Sequence, residues 1–341
     1  MSTKMFDFSI GNPPFQKYLN DTSDKPIYNE FMDASYKIAD KVELIHPARF
    51  LFDAGKTPKE WNEKILNDEH FKVLKYEQNS SKVFANTDIK GGVAITYRDY
   101  SKEYGAIKIF TPFNELKEIN RKVQEKENFI SINTIMFLQT KLNLQSVYSD
   151  QPELKKYIGS KGKERRLTTS VFSTPLLHDH KIKKDDIKVL GLIKNKRNYR
   201  FIKKEYIDNS IGNLNFYKVI VPKSNGTGAI GEVLSTPLIG TPLIGYTQSF
   251  LGIGSFDNED EANSCLKYIK TKFSRTMLGI LKITQDNPPE KWKLVPLQDF
   301  TDHSDIDWSK SIPEIDQQLY RKYGLSDEEI DFIETHVKEM K

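Results

Sequence analysis

Cysteine is almost absent: Cys265 stands alone in 341 residues. One thiol excludes a disulfide framework and cannot build a Cys-rich metal site. Long apolar runs are missing as well. No stretch approaches the roughly 18–20 residues of a membrane span, and no signal-peptide pattern follows Met1. The expectation is a cytoplasmic protein with no membrane partner. Histidines number only six. His303 falls among Asp302, Asp305 and Asp307, but four such side chains meet easily on a polar loop, and no metal is expected. No Gly-x-x-x-x-Gly-Lys-[Ser/Thr] occurs, which excludes a P-loop motor. No carboxylate constellation of a nuclease stands out either.

Charge is plentiful but unevenly placed. The net value is +4, yet residues 155–223 hold 18 Lys/Arg against 6 Asp/Glu. From Asp286 to the end the balance is 7 to 14 in the other direction. A basic middle region interrupted by Gly, Ser and Asn turns suits contact with phosphates. The alternative reading of such a run is a solvated face. Within it, Lys161, Lys163, Arg165, Arg166, Lys194, Lys196, Arg197 and Arg200 are the candidates for DNA contact, because Arg and Lys hold phosphates and read base edges.

Local patterns give the order of elements. Residues 6–12 read as a strand, Pro26 to about Ala39 as an amphipathic helix, and Val42-Glu43-Leu44-Ile45 as part of a second strand. Thr57-Pro58-Lys59-Glu60 opens a helix with Thr as cap and Pro in the first turn. Phe71–Tyr76 and Gly92–Tyr97 look like two strands around a loop. This is an α/β layout with a hairpin-like edge. Residues 101–125 read as a connector with some β character. Further on, Tyr217–Pro222 and Ser249–Phe256 read as strands, 259–282 as one helix, and Ser326-Asp327-Glu328-Glu329 as a capping box before a last helix. Thr236-Pro-Leu-Ile-Gly240 recurs at once as Thr241–Gly245, which reads as a duplicated turn lengthening a loop.

The first strand ends in Asn12-Pro13-Pro14-Phe15. Each Pro fixes its own φ and biases the residue before it towards extended backbone, so the turn is stiff. It holds the Asn12 amide oxygen, the Pro13 carbonyl and the Phe15 ring at one lip. Two acceptors can take both hydrogens of an exocyclic amino group, and an aromatic ring can stack on the planar base carrying it. A second Asn-Pro-Pro, at 287–290, lacks the aromatic and the preceding strand.

The first copy resembles the fourth motif of the gamma-type N6-adenine DNA methyltransferases, [DNS]-P-P-[FYW]. His46-Pro47-Ala48-Arg49-Phe50-Leu51 looks like their motif at the end of the fifth strand. Ser81-Lys82-Val83-Phe84 followed by Ile89-Lys90-Gly91-Gly92-Val93 looks like their eighth motif. The ordered matches cover about residues 5–100. The resemblance implies Asn12, Pro13, Pro14 and Phe15 as catalytic residues, Phe15 and Phe84 as stacking partners of a flipped adenine, and S-adenosylmethionine as methyl donor. Flipping costs a few kcal/mol, and base–aromatic stacking at about 1–3 kcal/mol per base offsets much of it. It requires no general base and no metal. Transfer to cytosine N4 or to protein glutamine stays open. Cys265 follows Ser264 rather than Pro, so the cytosine-C5 nucleophile is missing.

In the gamma order the cofactor half, with its Phe-x-Gly-x-Gly turn, precedes this motif. It is not found here, and Phe250-Leu251-Gly252-Ile253-Gly254 lacks the strand and acidic residue that should follow. The expected fold is therefore the C-terminal half of a Rossmann-like methyltransferase sheet (residues 1–115), followed by an α+β target-recognition domain (116–310) and a C-terminal helical segment (311–341). Phe273-Ser274-Arg275, Val295–Phe300 and Ile306-Asp307-Trp308 resemble words of the TaqI-like specificity class. Double-stranded DNA, a separate polypeptide supplying the cofactor half and a linked restriction nuclease are the expected partners. A non-catalytic DNA-binding specificity module, or a truncated fragment, is the alternative.

Overall fold

The structure, a computed structural model, describes residues 4–17, 25–158, 164–210 and 212–340. The chain forms two compact units, Met1–Glu118 and Ile119–Lys341, both mixing helices with sheets. No helix among the described residues is long and apolar enough to cross a membrane.

In the first unit, β1 (Phe6–Gly11) is followed by α1 (Tyr28–Ile38) and β2 (Ala39–Pro47). β1 and β2 run parallel, with Ser9 opposite Val42 and Gly11 opposite Leu44. Parallel neighbours need a crossover, and α1 provides it; it buries Tyr28 and Met32 and packs against β2. After α2 (Lys59–Leu66), β3 (Phe71–Glu77) and β4 (Val93–Asp99) form an antiparallel pair, and β4 also lies antiparallel to β2. The sheet order is β1-β2-β4-β3, so the two best-covered strands lie inside it. β1 is at its edge. Phe6, Phe8 and Ile10 alternate along that strand on one face and are 52%, 48% and 74% exposed. No described strand pairs with the outer side of β1.

The α2 start differs from the sequence expectation. Pro58, not Thr57, occupies the cap position, without a side-chain hydrogen bond. The Thr57 hydroxyl instead donates to Asn62 Oδ1 at 2.7 Å, one turn into the helix.

The supposed β-like connector contains α3 (Asn114–Gln124). Leu116, Ile119 and Val123 are fully buried, at the i, i+3, i+7 spacing of a helix face. The aromatic and β-branched residues of 107–113 just before it gave the strand impression.

In the second unit, β5 (Ile187–Ile193) and β6 (Lys196–Ile202) form a hairpin. Its two-residue turn has Lys194 and Asn195 at φ 50 and 62, the left-handed pair that matches strand twist. β7 (Tyr217–Pro222) is flanked by β8 (Leu238–Gly240) and by β10 (Phe250–Phe256), while β9 (Ile244–Tyr246) runs parallel to β5. The duplicated pentapeptide is thus more than a lengthened loop. Its first copy pairs in one sheet and its second copy in another.

The expected single helix 259–282 is two helices, α4 (Glu259–Lys270) and α5 (Lys272–Leu281). Thr271, at ψ 151, breaks them; its hydroxyl accepts from Ser274 N–H and donates to the Tyr268 carbonyl at 2.6 Å. Breaking a helix orphans carbonyls on one side and N–H groups on the other. Arg275 Nε takes the Lys270 and Thr271 carbonyls at 3.1 and 3.2 Å. The Asp316 carboxylate, from α6 (Ile312–Tyr323), takes the Lys272 and Phe273 N–H groups at 3.0 and 2.9 Å. α7 (Asp327–His336) opens on Ser326 and Glu329 as a reciprocal capping box.

Candidate active site

The Asn12–Phe15 turn leaves the carboxyl end of β1 and forms one wall of an open cleft of about 860 Å³. Tyr28, Pro47, Arg49, Lys56 and the segment Thr87–Ile89 are among its other walls. Pro13 is buried, Phe15 half-buried, and Asn12 and Pro14 exposed. The Phe15 carbonyl accepts from Ile27 N–H at 3.3 Å, which ties the turn to the entrance of α1.

Beneath the cleft lies a buried polar contact. His46 is fully buried, its ring stacked on Tyr28 at 5.7 Å between centroids and 6° between planes. Its Nε2 lies 2.7 Å from Thr96 Oγ1 and its Nδ1 3.2 Å from the Pro47 carbonyl. A carbonyl only accepts, so Nδ1 carries the proton and Nε2 accepts from Thr96. Burial pushes the imidazole down to about 4, against the hydrogen bond to Pro47, which acts the other way. Burial likewise raises the Tyr28 hydroxyl to about 12.

These values give a pH prediction. An unfolded His titrates near 6.5, so between that value and about 4 the unfolded chain binds a proton that the folded chain refuses. Stability of the first unit therefore falls as pH drops through this window and levels off below it. By pH 5 the loss from His46 is of the order of 2 kcal/mol. Amide exchange in β2 and β4 at pH 7 and 5 measures it, and His46→Gln should remove that part of the pH dependence. An unchanged slope in the variant would contradict this account.

The loop that carries Phe84 is held by side chains. Ser80 Oγ donates to the Thr87 carbonyl at 3.1 Å and accepts from Ile89 N–H at 2.8 Å. Gly92, at φ 75, closes the loop so tightly that a Cβ there would collide with the Glu77 carbonyl. Phe84 is half-buried and meets Phe15 edge-on, with centroids 5.8 Å apart and planes at 69°. A base between two parallel rings needs them roughly 7 Å apart, two van der Waals spacings. The two rings are therefore neighbours, but they pack on each other rather than flank an open slot.

The basic candidates of the second unit are placed less uniformly. Lys161 and Lys163 lie outside the described residues. Arg165 is paired with Asp208, and Arg166 is half-buried where its backbone bridges to Lys141. Arg200 donates to Asp179 at 2.9 Å and to the Phe172 and Thr174 carbonyls at 2.7 and 3.3 Å. Arg197 lies over the Phe250 ring and donates to the Ser235 carbonyl at 2.7 Å; burial lowers its guanidinium from the usual range. Lys194 and Lys196 stand exposed at the hairpin tip. Charge density along the chain counted these residues alike, but three of the arginines are used inside the fold.

The Phe250–Gly254 run is the buried strand β10. Its glycines answer to packing, since a Cβ on Gly252 would strike the Tyr246 hydroxyl and one on Gly254 the Phe256 ring. Among the described residues, no group of three or more His, Cys, Asp or Glu is placed to hold a metal. Two cleft walls have no role assigned from sequence: Tyr28, which falls within the amphipathic helix, and Arg49, which lies inside the His46–Leu51 motif.

Residues 1–84 match the family model of the Eco57I restriction-modification methylase. The first quarter of the chain is similar to a restriction-modification methylase. Two solved structures resemble the chain at low identity. One is the type IIG restriction endonuclease BpuSI, with 9% identity, TM-score 0.32, and coverage of 92% of this chain and 50% of that one. The other is the type IIL restriction-modification enzyme MmeI in complex with DNA, with 10% identity, TM-score 0.41, and coverage of 96% and 56%. The chain thus spans about half the length of each. Among curated proteins none matches it.

Proposed function

We propose that the chain carries the base-accepting lip and the target-recognition part of an N6-adenine DNA methyltransferase in a restriction–modification system. The observation that carries this reading is the stiff Asn12–Phe15 turn at the carboxyl end of β1, which lies in the segment that matches the methylase model and opens on a cleft.

In this reading the target adenine leaves the helix and enters the cleft. Asn12 Oδ1 and the Pro13 carbonyl accept its two N6 hydrogens, which holds the amino nitrogen at a fixed place and turns its lone pair out of the ring. Phe15 stacks on one face. Phe84 swings off Phe15 to cover the other, exchanging a ring–ring contact for a ring–base one of similar strength. S-adenosylmethionine, when bound, supplies the methyl group. The Phe-x-Gly-x-Gly run, which has the spacing of the cofactor turn, is filled by its own neighbours. The proposal therefore places the cofactor-binding residues outside these 341.

The outer side of β1 is where they would join. An unpaired edge with Phe6, Phe8 and Ile10 exposed is a liability unless another strand covers it. Paired in this way, β1 to β4 form one half of a Rossmann-like sheet. The basic hairpin and loops of the second unit then hold DNA phosphates while base edges are read. The competing reading, a non-catalytic specificity module, draws on the same open edge.

Expression in a host without adenine methylation, with and without a cofactor-half polypeptide, tests the proposal. Genomic DNA should acquire N6-methyladenine in one short sequence context when both are present. N4-methylcytosine would reassign the target base, and unmodified DNA would favour the specificity module.

A further inference from the structure

Arg49 occupies a place in the cleft that the amino-group chemistry leaves unused. It opens the short helical turn Arg49–Phe52 that ends β2, and it lines the same cleft as Asn12 and Phe15. Its side chain is fixed at both ends. The stem lies against Gly55, where a Cβ would come within 3.3 Å of Arg49 Cβ and 3.4 Å of its Cδ; Gly55 also adopts φ 94. At the other end Nε donates to the Lys90 carbonyl. The two Nη groups donate to no described residue, and no carboxylate pairs with this guanidinium among the described residues. Asp88, an acidic residue of the cleft wall, is 2.7 Å from Lys90 Nζ instead.

A guanidinium held rigid through its stem and Nε, on a residue that lines the cleft, is matched to an oxyanion that takes two parallel hydrogen bonds. The one carboxylate among the described lining residues, Asp88, is taken by Lys90. A nucleotide that rotates about its backbone to reach Asn12 brings a flanking phosphate to the cleft mouth. We propose that Arg49 binds the phosphodiester next to the flipped nucleotide and so holds it in the cleft. This rests on the base-flipping reading of the Asn12–Phe15 turn and adds to it the residue that receives the backbone.

The test uses the full chain and DNA binding alone, so that it does not depend on methyl transfer. The probes are a fully paired duplex and the same duplex with one unpaired adenine, each with a native or an uncharged methylphosphonate linkage beside that adenine. Arg49→Met keeps the stem against Gly55 and removes the charge; Arg49→Lys restores charge without the bidentate fork. The wild type should prefer the unpaired adenine. Arg49→Met should weaken that complex about 10- to 100-fold, the loss of a charge-assisted hydrogen-bond pair, with partial recovery in Arg49→Lys. One methylphosphonate, on the 5′ or the 3′ side, should cost the wild type a similar factor and cost Arg49→Met nothing further.

Losses that multiply would overturn the assignment, as would an equal Arg49→Met loss on both duplexes when the wild type prefers the unpaired adenine. The adenine reading fails separately. If preference for the unpaired adenine is absent while the Arg49–phosphate coupling persists, the phosphate contact stands and the base assignment falls.

Discussion

Asn12→Ala is expected to lower methyl transfer by roughly 10²- to 10³-fold, the scale seen when one fixed hydrogen-bonding group is removed from a reacting centre. DNA affinity should stay within about threefold, because phosphate contacts supply most of it. The side chain is exposed at the cleft and belongs to a turn whose shape is set by two prolines and by the Phe15–Ile27 backbone hydrogen bond. Removing the amide therefore leaves the turn in place. What is lost is one of two acceptors for the N6 hydrogens, and with it the orientation of the amino nitrogen. Initial rates with the cofactor-half polypeptide and saturating DNA, alongside equilibrium binding of the same duplex, separate the two effects. Activity within tenfold of wild type would remove Asn12 from the chemistry.

The second large effect lies far from that chemistry. Arg275→Ala should destabilise the second unit by about 3–5 kcal/mol, the range for breaking a buried charged network. Arg275 is buried, and it donates to four backbone carbonyls: Lys270, Thr271, Gly231 at 2.9 Å and Lys338 at 2.5 Å. It thereby seals the helix break at Thr271 and fastens both the 231 loop and the chain end to α5. Burial lowers this guanidinium to about 10 and raises Asp316 to about 6, with each charge favouring the ionised form of the other. Alanine would leave the carbonyls without their donor and Asp316 without its compensating charge. Arg275→Lys, with one ammonium for four carbonyls, should recover part of the loss. Urea unfolding of the three proteins measures this, and a change below about 1 kcal/mol would mean that water takes over the carbonyls.

Some of this architecture is written in short-range pattern. β1 and the turn after it are readable because two prolines restrict the backbone wherever they stand, and the strand–helix–strand order of the first unit follows from apolar spacing. Other parts depend on partners distant in sequence. Arg165, Arg197 and Arg200 look like free surface charge until the fold brings Asp208, Ser235 and Asp179 to them. The break at Thr271 is invisible to periodicity, since Ile269 and Phe273 keep the helical spacing across it. Its stability comes from Arg275 and from Asp316, a residue 45 positions beyond Thr271. α3 carries helical spacing in Leu116, Ile119 and Val123, but the aromatic and β-branched segment before it favours a strand. In the cleft, the resemblance pairs Phe15 with Phe84 but says nothing of their edge-on packing, nor that Gly55 presses on the stem of Arg49.

The most direct test of the central claim is transfer of labelled methyl from S-adenosylmethionine to duplex DNA of mixed sequence, followed by digestion to nucleosides. It is run with the purified chain alone and with a cofactor-half polypeptide. The account predicts label in N6-methyladenine only when both are present. Label from the isolated chain would contradict the placement of the cofactor residues outside it, and no label in either case, with DNA binding intact, would contradict the catalytic reading.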